Sequence, residues 1–306
     1  MGRISSWWGG LGKWRRIGII AFLCCLLIIV GRLLFSTPQP HVELPAETLF
    51  GSFFTNTMLA ALFTIIVLGA VCFAATRRMK VVPKGLQNIV EGLLEILIKF
   101  VDDTAGKEYG RKFLPVVATI FIFVIANAWL ALIPGFMTIG FWHTEGGEQV
   151  LIPFLRGANT DINFPLALAL VSFVFVEYWG IRSQGFSRYV RRFISVGGFF
   201  RGIGQIFKGK VKSGLGALLT GVVDVFVGFI EFISELVRIL SLTVRLFGNM
   251  TAGEILILMM IFLLPWVVPS LFYGLELFLG FVQALIFCGL TLVFLVMAVT
   301  PREEHE

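Results

Sequence analysis

The chain has 306 residues, of which 57% are hydrophobic and 14% charged, and its mean hydropathy is +0.90. A soluble domain carries about 25% charged residues, so too few are present to solvate a water-facing surface, and a soluble enzyme, a secreted disulfide scaffold and a disordered chain are excluded. The net charge of +6 therefore speaks to membrane topology, and no nucleic-acid role is expected.

A membrane-crossing helix needs about 20 apolar residues, and that length finds runs near 17–35, 52–76, 114–134, 163–181, 219–264 and 269–299. The first follows Lys13, Arg15 and Arg16 and has the layout of a signal peptide or signal anchor, which divides the chain into an N-terminal anchor or signal segment, 1–40, and a membrane domain, 41–306. After the second run come Arg77, Arg78, Lys80 and Lys84, and before the third Lys99, Lys107, Arg111 and Lys112, which places this connection in the cytoplasm. Between them, residues 85–101 space apolar side chains at helical intervals with Glu91 and Glu95 on the other face, the pattern of an amphipathic helix at the membrane surface.

The connection 135–160, with Glu145 and Glu148 against Arg156, lacks a basic excess and falls on the outer side. Residues 182–212 hold eight basic residues and no acid, so that loop is cytoplasmic. A cytoplasmic N-terminus, six crossings and a cytoplasmic C-terminus form one consistent solution. The four cysteines lie in apolar runs without a CxxC pair, and the three histidines are scattered, so neither a metal site nor a cofactor is expected.

The run 219–264 is too long for an upright crossing. At 1.5 Å per residue it spans about 65–70 Å, over twice the hydrocarbon thickness of about 30 Å, and no proline interrupts it before Pro265. It is expected to lie steeply tilted and to form a slanted hairpin with 269–299, closed by 265–270. The fold class is thus all-α: a polytopic membrane protein of five or six membrane segments with a long tilted C-terminal hairpin.

Polar residues in this hairpin follow a pattern. At 100° per residue, Asp224, Glu231, Glu235, Arg238, Arg245 and Asn249 fall within about 80° of one another, flanked by Ser234 and Ser241. Glu254 is about 140° from Glu231, and Glu276 and Gln283 share one face of the last segment. A charge at mid-membrane costs about 2.5–3.5 kcal/mol, so each needs a partner or water. Glu235 and Arg238 can pair at i, i+3. The acid nearest to Arg245 in sequence, Glu254, is off its face, which leaves a permanent guanidinium charge directed at something outside its helix.

The segment 241–254 (SLTVRLFGNMTAGE) resembles the most specific motif of subunit a of the F-type ATP synthase. Residues 83–91 (PKGLQNIVE), 112–119 (KFLPVVAT) with Asn127 and Pro134-Gly135, 160–163 (TDIN), and 276–287 with Gln283 resemble that family's blocks in the same order, so the resemblance covers about residues 48–300. Ile239 stands where members often carry Pro, and Leu130 where some carry an acid.

The resemblance implies a non-catalytic, proton-translocating stator subunit with no metal or cofactor, in the inner or plasma membrane of a bacterium. It would partner c-ring subunits, peripheral-stalk b subunits and membrane lipid within the ATP synthase complex. Arg245 would face the rotor carboxylate between two half-channels. Glu254, Glu276, Gln283 and Asn127 would line the outer path, and Glu231, Ser234, Arg238 and Ser241 the cytoplasmic one, with Asn249 beside Arg245. The rival reading is a stand-alone anion channel or secondary transporter with Arg245 and Arg238 binding substrate; transporters often show internal repeats, and the sequence shows none.

Overall fold

The computed structural model describes residues 46–50, 54–133, 135–136, 139–145, 148–186, 189, 211–264 and 268–300, with scattered positions between 15 and 30. Five helices result: α1 (Asn56–Thr76), α2 (Leu86–Ala131), α3 (Asn163–Gln184), α4 (Val211–Leu263) and α5 (Val268–Val299). All five are long and apolar enough to cross a membrane, and they account for five of the six apolar runs. The run 17–35 lies outside the described residues except for isolated helical positions such as Phe22 and Ile29. Most of the basic loop 182–212 lies outside them as well.

Two small β-ribbons qualify the all-helical expectation. Thr48–Phe50 (β1) pairs antiparallel with Phe54–Thr55 (β2), and Gly140–Glu145 (β3) pairs antiparallel with Glu148–Pro153 (β4). The second ribbon occupies most of what reads as an irregular outer loop. A short 3₁₀ turn, Ala158–Thr160, then leads into α3.

α1 begins where Thr55 Oγ1 accepts from the Met58 backbone N–H at 3.3 Å, the usual satisfaction of a free N-terminal donor. It turns the small side chains of Ala60, Ala61 and Thr64 inward. Small residues let helix backbones approach closely inside a membrane, where no hydrophobic force drives helices together. Bulkier residues such as Ile65, Ile66 and Phe73 stay on its exposed face.

α2 joins two expected elements, the amphipathic helix and the third apolar run. They are separated by a break at Gly106 (φ 72°, ψ 158°), a backbone conformation open essentially to glycine alone. The first limb does more than lie on a surface. Leu97 and Val101 are buried in the main core, and Phe100 packs where Gly289 of α5 leaves room. Gln87 fastens its start by donating to the Lys80 carbonyl at 2.9 Å and accepting from the Lys80 N–H at 3.1 Å.

The second limb of α2 brings Phe113, Val117, Phe121 and Val124 against Phe287, Cys288 and Leu292 of α5. α3 and α4 complete the core with Ala169, Val176, Leu242 and Leu246. Cys288 acts as an apolar filler here; Cys72 is on the exposed face of α1.

α4 is a single helix of 53 residues, about 80 Å long, and α5 with 32 residues is about 48 Å. Neither fits upright in about 30 Å of hydrocarbon, so the tilted hairpin of the sequence reading is what the bundle contains. α5 opens at Val268, within the expected closing turn.

Cross-chain bonds sort the helix ends into two sides. Thr57 donates to Asp161 at 3.0 Å, joining the starts of α1 and α3, and Asn127 near the end of α2 accepts from the Ala158 N–H at 3.2 Å. At the opposite side, Ser183 and Gln184 donate to the Val299 and Ala298 carbonyls at 3.0 and 2.9 Å. The starts of α1 and α3 and the end of α2 thus share one side of the bundle, and the ends of α3 and α5 share the other.

Candidate functional site

The site is built on α4, whose buried strip runs through Glu235, Ile239, Leu242, Leu246, Met250, Gly253 and Ile257. At 100° per residue the polar residues occupy the two shoulders of that strip. Arg238, Arg245 and Asn249 lie about 60–100° to one side of its centre and Glu254 about 80° to the other. The stripe seen in the sequence is therefore an edge, between packed core and open surface.

Along this edge the environments differ. Glu235 is buried, and its Oε2 pairs with Arg238 Nη1 at 2.7 Å. The Arg238 guanidinium also lies 3.9 Å from the centroid of the Phe294 ring on α5, a cation–π contact that strengthens when water is excluded. Glu231 and Asn249 are half-buried, and Ser234, Ser241 and Asp224 are exposed. Ser234 donates back to the Ile230 carbonyl at 2.9 Å within its own helix.

Arg245 is exposed. Among the described residues it has one polar contact, Nη2 donating to Ser241 Oγ at a long 3.5 Å, and no ion pair. Beside it the uncovered face of α4 is apolar: Val237, Leu240 and Val244 are 55%, 58% and 56% exposed. A permanent cation at the rim of an apolar, outward-facing helix surface is unmatched within the described chain.

The other shoulder is closed. Glu254 accepts from Arg156 Nε at 3.1 Å (Oε1) and 3.4 Å (Oε2). Arg156 precedes the 3₁₀ turn and is buried. The sequence reading counted it only as one charge of an outer loop; a partner 98 residues away leaves no local or periodic signal.

Glu276 and Gln283 are both buried on the inner face of α5, which bears out their shared face. The Glu276 carboxylate is seated against Gly253, where an added Cβ would collide with it. Asn127 is buried, with Oδ1 engaged by Ala158. Asn127 Nδ2, Gln283 Nε2, Thr251 Oγ1 and both polar atoms of the Asn159 side chain are buried without a protein partner. Buried polar atoms of this kind are normally satisfied by ordered water.

The structure thus brings together Glu235 with Arg238, Arg245 with Ser241, and Glu276 with the turn that carries Glu254. It does not join Glu254 to Arg245. Among the described residues no group of His, Cys, Asp and Glu could hold a metal ion.

Comparison with known proteins bears on this arrangement. The family model described as ATP synthase A chain matches residues 57–296. A protein of Nitratiruptor sp. named ATP synthase subunit a is 34% identical over 252 residues, 82% of this chain and 91% of the relative's length. One of Campylobacter jejuni with the same name is 33% identical over 255 residues, 83% and 92% of the two chains. A third, from Helicobacter pylori, is 31% identical over 242 residues, 79% and 88%.

Proposed function

The chain belongs to the ATP synthase A chain family, and from that premise we propose that it is the stator subunit through which protons cross the membrane sector and drive rotation of the c-ring. It would make and break no covalent bond itself. Its place would be the inner or plasma membrane of a bacterium, beside the c-ring and the peripheral-stalk b subunits.

The observation that carries this reading is Arg245: exposed at the rim of an apolar surface, with no acid of the described chain to neutralise it. An apolar rotor presenting one carboxylate per subunit complements that surface. The rotor carboxylate arrives ionised at Arg245, is displaced as the next site advances, and takes up a proton before it re-enters lipid neutral. Arginine suits the role because its guanidinium stays charged when partly desolvated, whereas a lysine readily gives up its proton. The same fixed charge repels protons and keeps two half-channels from short-circuiting.

In this reading Glu254, Glu276, Gln283 and Asn127 line the outer half-channel. The partnerless buried atoms of Asn127, Gln283, Thr251 and Asn159 support a water-lined route there. Glu231, Ser234, Arg238 and Ser241 line the cytoplasmic half-channel, and Asn249 stands one helical turn from Arg245.

Purification in mild detergent, followed by ATP-driven acidification of inverted vesicles with and without added sodium, tests the proposal. Co-purification with rotor and stalk subunits, and acidification indifferent to sodium, are expected. A lone oligomer that moves anions in vesicles would overturn it in favour of a channel or transporter.

A further inference from the structure

Two cations from different helices converge on one indole ring, at the end of the bundle that the basic residues assign to the cytoplasm. Lys112 Nζ of α2 lies 6.0 Å and Arg182 Cζ of α3 lies 5.7 Å from the centre of the Trp179 ring. Lys112 Nζ is also 5.0 Å from the centre of the Tyr109 ring. Such contacts hold a cation in place without neutralising it. Arg182 Nη1 donates to the Tyr178 hydroxyl at 2.8 Å, and Arg182 opens the stretch 182–212, which holds eight basic residues and no acid. Lys112 pairs at 3.5 Å with Glu108, whose side chain is 81% exposed, and a pair so open to water contributes little. Glu177 of α3 is about 140° around the helix from Arg182 and accepts from the Tyr189 hydroxyl at 2.6 Å. Trp179 Nε1 is buried with no hydrogen-bond partner among the described residues, a donor that calls for an acceptor from outside them.

Beside the cations the exposed surface of α3 turns apolar. Val171, Val174, Tyr178 and Arg182 fall within about 80° of one another, and all four are exposed, the first three by 57%, 63% and 50%. This strip rises about 16 Å from Val171 to Arg182, the depth of one leaflet when the hydrocarbon is about 30 Å thick. Tyrosine and tryptophan favour the boundary between the apolar core and the headgroups, and basic pockets between helices on the cytoplasmic side suit anionic headgroups. A free phosphate would match the two cations but not the strip; a phospholipid matches both.

We propose that this end of α2 and α3 is a binding site for one anionic phospholipid, with its phosphate between Lys112 and Arg182, its glycerol region beside Tyr178 and Trp179, and an acyl chain along Val174 and Val171. The site stands apart from the ion path and is independent of it.

The test reconstitutes the purified complex into phosphatidylcholine vesicles that contain a minor fraction of phosphatidylglycerol with a photoreactive acyl chain. After illumination, cross-links within residues 171–182 are mapped and normalised to subunit content. Labelling should exceed that from an equal fraction of photoreactive phosphatidylcholine by about tenfold, and K112Q/R182Q should lower it by about tenfold. K112Q and R182Q alone should each lower it by about threefold, and they serve if the double variant does not assemble. R111Q, which removes an exposed cation from the next position of α2, should label like the parent. Excess inorganic phosphate should leave the labelling unchanged. Equal labelling by phosphatidylcholine, or an equal loss in R111Q, would reduce the site to ordinary lipid contact and overturn the proposal. Suppression by phosphate would make the ligand a free anion, and an absence of labelling by either lipid would mean that another subunit covers this face; each overturns it as well.

Discussion

The two shoulders of α4 carry arginine chemistry in opposite forms. On the Glu254 shoulder, Arg156 comes from another part of the chain, is buried, and has a carboxylate in Glu254 at 3.1 Å. On the other, Arg245 belongs to α4 itself, is exposed, and has only a serine hydroxyl at 3.5 Å. About two turns earlier, Arg238 is again paired, with Glu235 at 2.7 Å. A fold that pairs Arg156 and Arg238 and leaves Arg245 at an apolar rim fits the interface proposed above, in which a carboxylate from outside the described chain faces Arg245.

The comparison breaks most severely where a paired cation is made to resemble Arg245. Glu235→Gln removes the carboxylate from beside a largely buried Arg238, and breaking such a pair costs about 3–5 kcal/mol. A large fall in the yield of assembled complex is expected on quantifying subunit content in membranes, with partial recovery in E235Q/R238Q. An unchanged yield for Glu235→Gln would mean that the pair is dispensable and that pairing does not distinguish Arg238 from Arg245.

Gly253→Ala sharpens the comparison on the Glu254 shoulder. In a helix interior alanine is favoured over glycine by about 1 kcal/mol, yet here the new methyl collides with Glu276, and overpacking costs about 1–3 kcal/mol. Proton-driven ATP synthesis should drop by about tenfold, or about 1.4 kcal/mol in barrier, with the Arg156–Glu254 pair intact. A parental rate would show that Gly253 does not position Glu276.

The smallest effect is expected at Thr57→Val. It removes a buried hydroxyl that donates to Asp161 at 3.0 Å, while Asp161 keeps the Asn163 N–H and side-chain amide at 3.1 and 3.0 Å. A loss of about 1–2 kcal/mol should show as a modest fall in the melting temperature of the purified complex with coupling retained. Loss of coupling without loss of stability would move Thr57 from scaffold to ion path.

What could be read from the sequence was whatever repeats along it. Apolar run length gave the five described spans, and the absence of a breaker before Pro265 gave the continuous α4. Helical spacing gave the polar edge from Glu231 to Asn249, the pairing of Glu235 with Arg238, and the common face of Glu276 and Gln283. What escaped depends on contacts between distant segments. Arg156 finds Glu254 across 98 residues, and Leu97 and Val101 tie the amphipathic limb of α2 into the core; neither leaves a period in the sequence. The β3–β4 ribbon did leave a signal, the Gly146-Gly147 dipeptide between two short apolar stretches, which a search for helices passes over. The break at Gly106 is a single glycine, too common a residue to mark a kink by itself.

Arg245→Ala tests the central claim most directly, in one vesicle preparation whose assembly is verified by subunit content. Without the guanidinium both the attraction for the rotor carboxylate and the barrier to protons are gone. ATP synthesis and ATP-driven pumping should therefore vanish, while passive proton leak, measured after the catalytic head is stripped, should persist or rise. Arg245→Lys should also fail to couple, because it lacks the planar delocalised charge. An Arg245→Ala complex that assembles and still makes ATP near the parental rate would contradict the account and return Arg245 to the role of an ordinary surface charge.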